Sequence, residues 1–181
     1  MRREKSGGAE LRAGLTHLLL PQLRVQREVH QRAERAGRPE TVYAWGDEYA
    51  PGGVIRANTW QGRFPYDNRG WGSTSPVGSF GRNPWGFADL IGNMWEWTST
   101  LYAVGPQRAV AEASASCCAP ESARQAARAA ATAPGETFPR RVVKGGSHLC
   151  APEYCHRYRP PARQGQSEDS ATTHIGFRCA R

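Results

Sequence analysis

Gly92-Asn93-Met94-Trp95-Glu96-Trp97 closes a block from Thr41 to Tyr102 that holds every tryptophan of the chain, the first of them in Trp45-Gly46-Asp47. Between those ends lie Asn58-Thr59-Trp60-Gln61-Gly62 and Asn68-Arg69-Gly70-Trp71, amid many Gly, Pro and Asn residues. Glycine and asparagine tolerate the backbone of tight turns, proline presets it, and indole rings carry a large apolar area. This composition predicts a compact, loop-rich unit with short strands whose core is made of large rings.

On either side the character changes. Residues 1–40 are polar and rich in Arg and Glu, with Leu11, Leu15 and Leu19 spaced for one marginal amphipathic helix, and nothing there reads as chemistry. Residues 103–138 are rich in Ala, Ser and Pro and read as an irregular excursion with one helix over Glu121 to Ala131. Arg140-Arg141-Val142-Val143-Lys144 then reads as a strand with an apolar centre, ending in Gly145-Gly146, where φ > 0 permits a tight corner. Thr173 to Cys179 alternates apolar residues and reads as a closing strand.

The chain has 181 residues, 39% of them hydrophobic, which suits one domain of ordinary size. Its formal charge of +8 rests on arginine, since Lys5 and Lys144 are the only lysines. No dense basic run tracks an aromatic groove, so nucleic acid is not the expected partner. No apolar run approaches the roughly 18–20 residues of a membrane helix, and the charged start is followed by no small-residue cleavage site. Five cysteines, odd in number and unevenly spread, fit functional thiols in a reducing, cytoplasmic compartment rather than a disulfide framework.

The chemistry-bearing segment is Ser147-His148-Leu149-Cys150-Ala151-Pro152-Glu153-Tyr154-Cys155-His156-Arg157-Tyr158-Arg159, followed by Arg163. Two thiols with four residues between them either bond to each other across a turn or share a soft metal. No His-x-x-x-His and no second Cys-x-x-Cys accompany them, so a tetrahedral zinc site is poorly supplied. Few soft thiolates suit Cu(I) best. Cys117-Cys118 read as loop thiols, although Cys118-Ala119-Pro120-Glu121 echoes Cys150-Ala151-Pro152-Glu153. His148 and His156 read as polar wall or surface residues, Trp97 as core and Cys179 as a buried small hydrophobe.

Taken in order, Trp45-Gly46-Asp47, Asn58 to Gly62, Gly92 to Trp97, Lys144-Gly145-Gly146-Ser147 and Gly176-Phe177-Arg178-Cys179 resemble the sulfatase-modifying-factor family. The tryptophan-rich block alone is shared with non-heme iron enzymes of ergothioneine synthesis and with plain binding domains. The segment from Ser147 to Arg159 resembles the active-site segment of the formylglycine-generating members. The resemblance implies an α+β, C-type-lectin-related fold with little regular secondary structure. It also implies oxidation of a cysteine in a Cys-x-Pro-x-Arg segment of a sulfatase polypeptide to Cα-formylglycine, using O₂ and Cu(I).

On matching positions, Cys150 and Cys155 would hold the copper and Ser147 would hold an oxygen species or substrate. Trp95, Tyr154, Arg163 and His174 would wall or grip the substrate. Calcium is implied as well: one site would use the Asp89 carboxylate, the Gly92 and Met94 carbonyls and Glu96, for which ordinary loop capping is the alternative. A second would use Asn58 with the Thr59 and Trp71 carbonyls, in a shortened segment that lacks the aligned aspartate.

Family domains carry a long stretch ahead of the Trp-Gly-Asp motif, including a Leu-Pro-Thr-Glu-type segment, that residues 1–40 do not match. Residues 41–181 are therefore expected to be the C-terminal part of such a domain, with activity reduced in isolation. A non-catalytic, lectin-like binding module that keeps the family motifs is the competing expectation.

Overall fold

The sheet grows from two central strands, the second of them expected from the sequence. Strand β1, Trp95–Leu101, carries Trp95, Trp97, Thr98 and Thr100, aromatic and β-branched residues that suit a strand, and β2, Arg140–Lys144, centres on Val142 and Val143. They pair antiparallel with Trp97 opposite Val143 and a register shift before Leu101 meets Arg141. Thr98 Oγ1 donates to the Val142 carbonyl at 2.9 Å inside this pair. β3, Gln164–Ser167, pairs antiparallel with β2, and β4, Ile175–Gly176, runs parallel to β1, giving the order β3-β2-β1-β4. The structure, a computed structural model, describes residues 41–83, 86–113, 118–153, 155–159 and 161–178. The expected helix on Leu11, Leu15 and Leu19 lies outside the described residues, as do Cys117, Tyr154 and Cys179.

The architecture is α+β, as the resemblance implies, and loop-rich, as the composition predicts. Two expectations change. The excursion 103–138 holds two helices, α1 over Gln107–Ala113 and α2 over Glu121–Ala130, where only the second was legible. The closing strand is shorter than the alternation at Thr173 to Cys179 suggests, since only Ile175–Gly176 pairs. The helices bury Ala111, Ala127 and Ala131 against Leu101 and Ala103, and such small side chains let helical backbones come close. Glu168 ties α2 to the sheet: Arg128 grips it through both guanidinium tips at 3.3 and 3.1 Å, and Arg141 Nε meets it at 2.6 Å.

The main core lies at the other end of β1. Trp95, Val143, Ile91, Ala57, Tyr43, Tyr158, Cys150 and Cys155 form one buried cluster. Tyr43 stacks between Trp45 and Tyr158, with ring centroids 5.4 and 5.7 Å away. These are the large rings that the tryptophan-rich block anticipated.

Loops carry the rest, and they cross within hydrogen-bond distance of one another. Gly92 N–H donates to the Gly145 carbonyl at 2.8 Å, Asn93 N–H to Asn58 at 2.7 Å and Trp60 N–H to Cys150 at 2.9 Å. So close a crossing leaves no room for a side chain: a Cβ on Gly92 would lie 2.2 Å from the Asn58 carbonyl oxygen, at φ +73°. Gly92→Ala is therefore expected to lower unfolding stability in urea by ~3 kcal/mol or more, through steric overlap and left-handed strain together. A loss no larger than that of an ordinary surface substitution would contradict the crossing.

Candidate functional site

The two thiols sit on consecutive turns that the sequence builds after β2. Gly145 and Gly146 take φ of +89° and +71°, turning the chain off the strand as predicted, and Gly146 lies directly against Tyr158. Cys150 N–H then donates to Ser147 and Cys155 N–H to Ala151, each at 2.9 Å, so both cysteines end a short backbone turn. Cys150 and Cys155 are each 3% exposed, and both are free thiols in this structure.

Their electrostatics are unequal. Burial pushes the Cys150 thiol up to about 12, and its hydrogen bond to Cys155 adds to this. Burial opposes the Cys155 thiolate too, yet its pKa falls below the ordinary thiol value because Cys150 donates to it and the Arg157 backbone and guanidinium support its charge. The pair therefore titrates unequally, with Cys155 the sulfur that loses its proton first. Arg157 is held from behind, Nη1 donating to Gln164 Oε1 on β3 at 2.9 Å. Sequence reading missed this residue; its place two residues after a thiol was the available signal.

The loop is fixed from below by Asn93. Its carbonyl accepts both His148 N–H and the His148 ring Nδ1–H, each at 3.0 Å. Its side-chain oxygen accepts from Ser75 N–H at 2.8 Å and Asn58 Nδ2 at 3.1 Å. His148 is therefore a buried anchor and not the wall or surface residue its neighbours suggested. Ser147 is 1% exposed, and its Oγ accepts Leu149 N–H at 3.3 Å, which leaves the hydroxyl proton free to donate elsewhere.

The remaining expected residues fall into three groups. Trp95 is buried in the cluster that contains both thiols, and its N–H donates to the His174 carbonyl at 2.8 Å. Burial, aided by nearby His148, lowers the His174 pKa, so its ring is neutral at pH 7. Arg163 is paired with Glu112 on α1 at 2.9 Å and lies 5.7 Å from the Tyr102 ring centroid. Tyr154 lies outside the described residues.

The expected calcium donors are mixed. Asp89 Oδ1 and Asn58 Oδ1 are both buried and meet no hydrogen-bond donor among the described residues, which suits a hard cation. Glu96 does not join them, because Arg178 grips its carboxylate, Nε lying 2.7 and 2.8 Å from the two oxygens. Arg178 also donates to the Ala88 and Asp89 carbonyls at 2.8 Å, so a guanidinium occupies the side on which Glu96 would meet a metal. Trp71 is exposed, whereas Asn58 and Thr59 are buried, and Asn58 Nδ2 donates to the Ser73 carbonyl, two residues after Trp71, at 2.9 Å. Among the described residues no three His, Cys, Asp or Glu side chains converge, which leaves the thiol pair as a low-coordination site.

A thiol pair on a glycine corner, backed by tryptophan-rich loops, defines the class, and comparison with known proteins gives the same answer. The family model of the sulfatase-modifying factor enzyme 1-like domain matches residues 24–181, and the chain belongs to that family. It is similar to the formylglycine-generating enzyme of Mycobacterium tuberculosis, with 55% identity over 150 residues, 81% of this chain and 46% of that protein. The Streptomyces coelicolor formylglycine-generating enzyme is 40% identical over 151 residues, 82% of this chain and 43% of that protein. A Bos taurus protein named inactive C-alpha-formylglycine-generating enzyme 2 is 32% identical over 154 residues, 82% of this chain and 40% of that protein. The chain thus spans about half the length of the curated relatives it matches.

The unequal thiols have a direct readout. In a chain whose other cysteines are serine, thiolate absorbance near 240 nm should rise in two steps, one below the ordinary thiol range and one near pH 12. Cys155→Ser should remove the lower step, and Cys150→Ala should raise it by removing the donor. Two thiols titrating together at the ordinary value would contradict this inequality.

Proposed function

We propose that this chain belongs to the catalytic branch of its family and oxidises a cysteine in a Cys-x-Pro-x-Arg segment of a sulfatase polypeptide to Cα-formylglycine, with O₂ as electron acceptor and Cu(I) as cofactor. The observation that carries the reading is the pair of buried, free, hydrogen-bonded thiols, Cys150 and Cys155. Two soft donors, with no third His, Cys, Asp or Glu converging on them among the described residues, fit Cu(I), which accepts low coordination, better than zinc. The C-type-lectin-related fold and a reducing, cytoplasmic setting, where such thiols stay free, belong to the same reading. Among the described residues no helix is long and apolar enough to cross a membrane.

Cu(I) bound by the two sulfurs would supply an electron-rich centre with room for the substrate thiolate and O₂. The chain's own residues prepare that step. Cys155 gives up its proton more readily than Cys150, and both sulfurs would have to be thiolates to hold the metal, so loading would be favoured as pH rises. Arg157 compensates the sulfur charge, the Trp95 and tyrosine cluster excludes water from behind, and the Ser147 hydroxyl proton is available to a polar group. The substrate CH₂–SH loses two electrons and two protons to become a thioaldehyde; water then adds, and hydrogen sulfide leaves the aldehyde. Calcium belongs to the proposal through Asp89 and Asn58, whose orphaned oxygens suit it, whereas Glu96 would first have to leave Arg178.

A second reading, a non-catalytic binding module, draws support from the similarity to a relative named inactive. A peptide with the Cys-x-Pro-x-Arg segment, incubated with the chain, Cu(I), O₂ and a thiol reductant, separates the two by mass spectrometry and hydrazine trapping. The catalytic reading expects an aldehyde product, with Cys150→Ser or Cys155→Ser slowing its formation roughly a hundredfold or more, because misplaced reacting groups cost that much. Peptide binding with no aldehyde would favour the module.

A further inference from the structure

Arg163 enters the fold between two fixed points. On its C-terminal side Gln164 opens β3 and accepts from Arg157, the residue that supports the Cys155 thiolate. Its guanidinium Nη1 donates to Glu112 Oε1 at 2.9 Å, and its plane lies against Tyr102. Tyr102 cannot shift, because its ring covers Gly165 so closely that a Cβ there would fall 2.1 Å from Cδ1. The opposite edge of the guanidinium is different: Nε and Nη2 are both buried and meet no acceptor among the described residues. Nε and Nη2 form the side-on fork of arginine, which takes two oxygens, or one in a bifurcated bond, with parallel donors.

We propose that Glu112, on helix α1, is a positioning residue that holds Arg163 with this fork turned inward, so that the fork receives an acceptor oxygen of the substrate polypeptide. This rests on the catalytic reading above for the identity of the polypeptide. Glu112 suits the role because its carboxylate is itself held twice, by Arg163 and by Arg108 four residues away on the same helix at 2.9 Å. Those hydrogen bonds, Arg108 first and Arg163 second, keep its pKa below the usual carboxylate value, so the anchor stays charged to acidic pH. Being half-exposed, the pair adds little stability, so its worth lies in orientation. The helix that sequence reading took for irregular chain therefore reaches the site through one carboxylate.

The test uses a non-reactive Ser-x-Pro-x-Arg peptide, fluorescence anisotropy, and the ¹⁵Nε–¹H resonance of Arg163, assigned by its loss in Arg163→Lys. Glu112→Gln should weaken peptide binding about fivefold and shift the Arg163 resonance, while Glu112→Asp recovers most of the binding. Arg163→Ala and the double variant with Glu112→Gln should bind alike, since one residue acts through the other. Arg108→Gln, which removes one of the two holds on Glu112 but leaves its contact with Arg163, should weaken binding less than Glu112→Gln does. Wild-type affinity and an unmoved resonance in Glu112→Gln, or additive losses in the double variant, would overturn the proposal. If the parent binds no peptide, the catalytic reading fails, and the resonance still decides whether Glu112 orients Arg163.

Discussion

Asn93 is the constraint on which the site depends. Its backbone sits at φ +61°, a left-handed conformation that asparagine tolerates better than most residues. From that position it joins three distant segments: the Asn58 loop, the Ser75 loop and the His148 turn. All of these groups are buried, and each would cost about 1–3 kcal/mol if left without a partner. With so little regular secondary structure, the protein uses this polar knot where another fold would use a helix pair. The thiol loop inherits its position from the knot, since His148 lies two residues before Cys150.

Position then becomes chemistry through burial. A solvent-exposed pair of thiols would titrate near the free value and oxidise readily. Enclosed beside Trp95 and the stacked Trp45, Tyr43 and Tyr158 rings, the two sulfurs titrate unequally instead. The hydrogen bond from Cys150, with Arg157 behind it, favours the charge on Cys155. That asymmetry follows from a local hydrogen bond and a single guanidinium, so the ring cluster contributes exclusion of water and rigidity rather than charge.

Local pattern made much of the frame legible. The Val142-Val143 strand, the Gly145-Gly146 corner and the helix from Glu121 all follow from short-range rules, and the ring core follows from the tryptophan-rich composition. What stayed hidden depends on contacts between residues far apart in sequence. Arg178 meets Glu96 across 82 positions and so occupies an expected calcium ligand; Glu112 meets Arg163 across 51. His148 likewise looked peripheral until the fold placed Asn93 beneath it. Helix α1 escaped notice because Gln107–Ala113 is short and buries Ala111 against Leu101, Ala103 and a second helix, partners that the sequence does not place beside it.

The proposed function requires Cys150 and Cys155 to form a two-sulfur copper site together. Copper K-edge X-ray absorption on the chain loaded with one equivalent of Cu(I) measures that site. The expected result is a coordination shell dominated by two sulfurs, lost when both cysteines are replaced by serine. A shell of nitrogen and oxygen, or a sulfur shell that survives the double substitution, would contradict it.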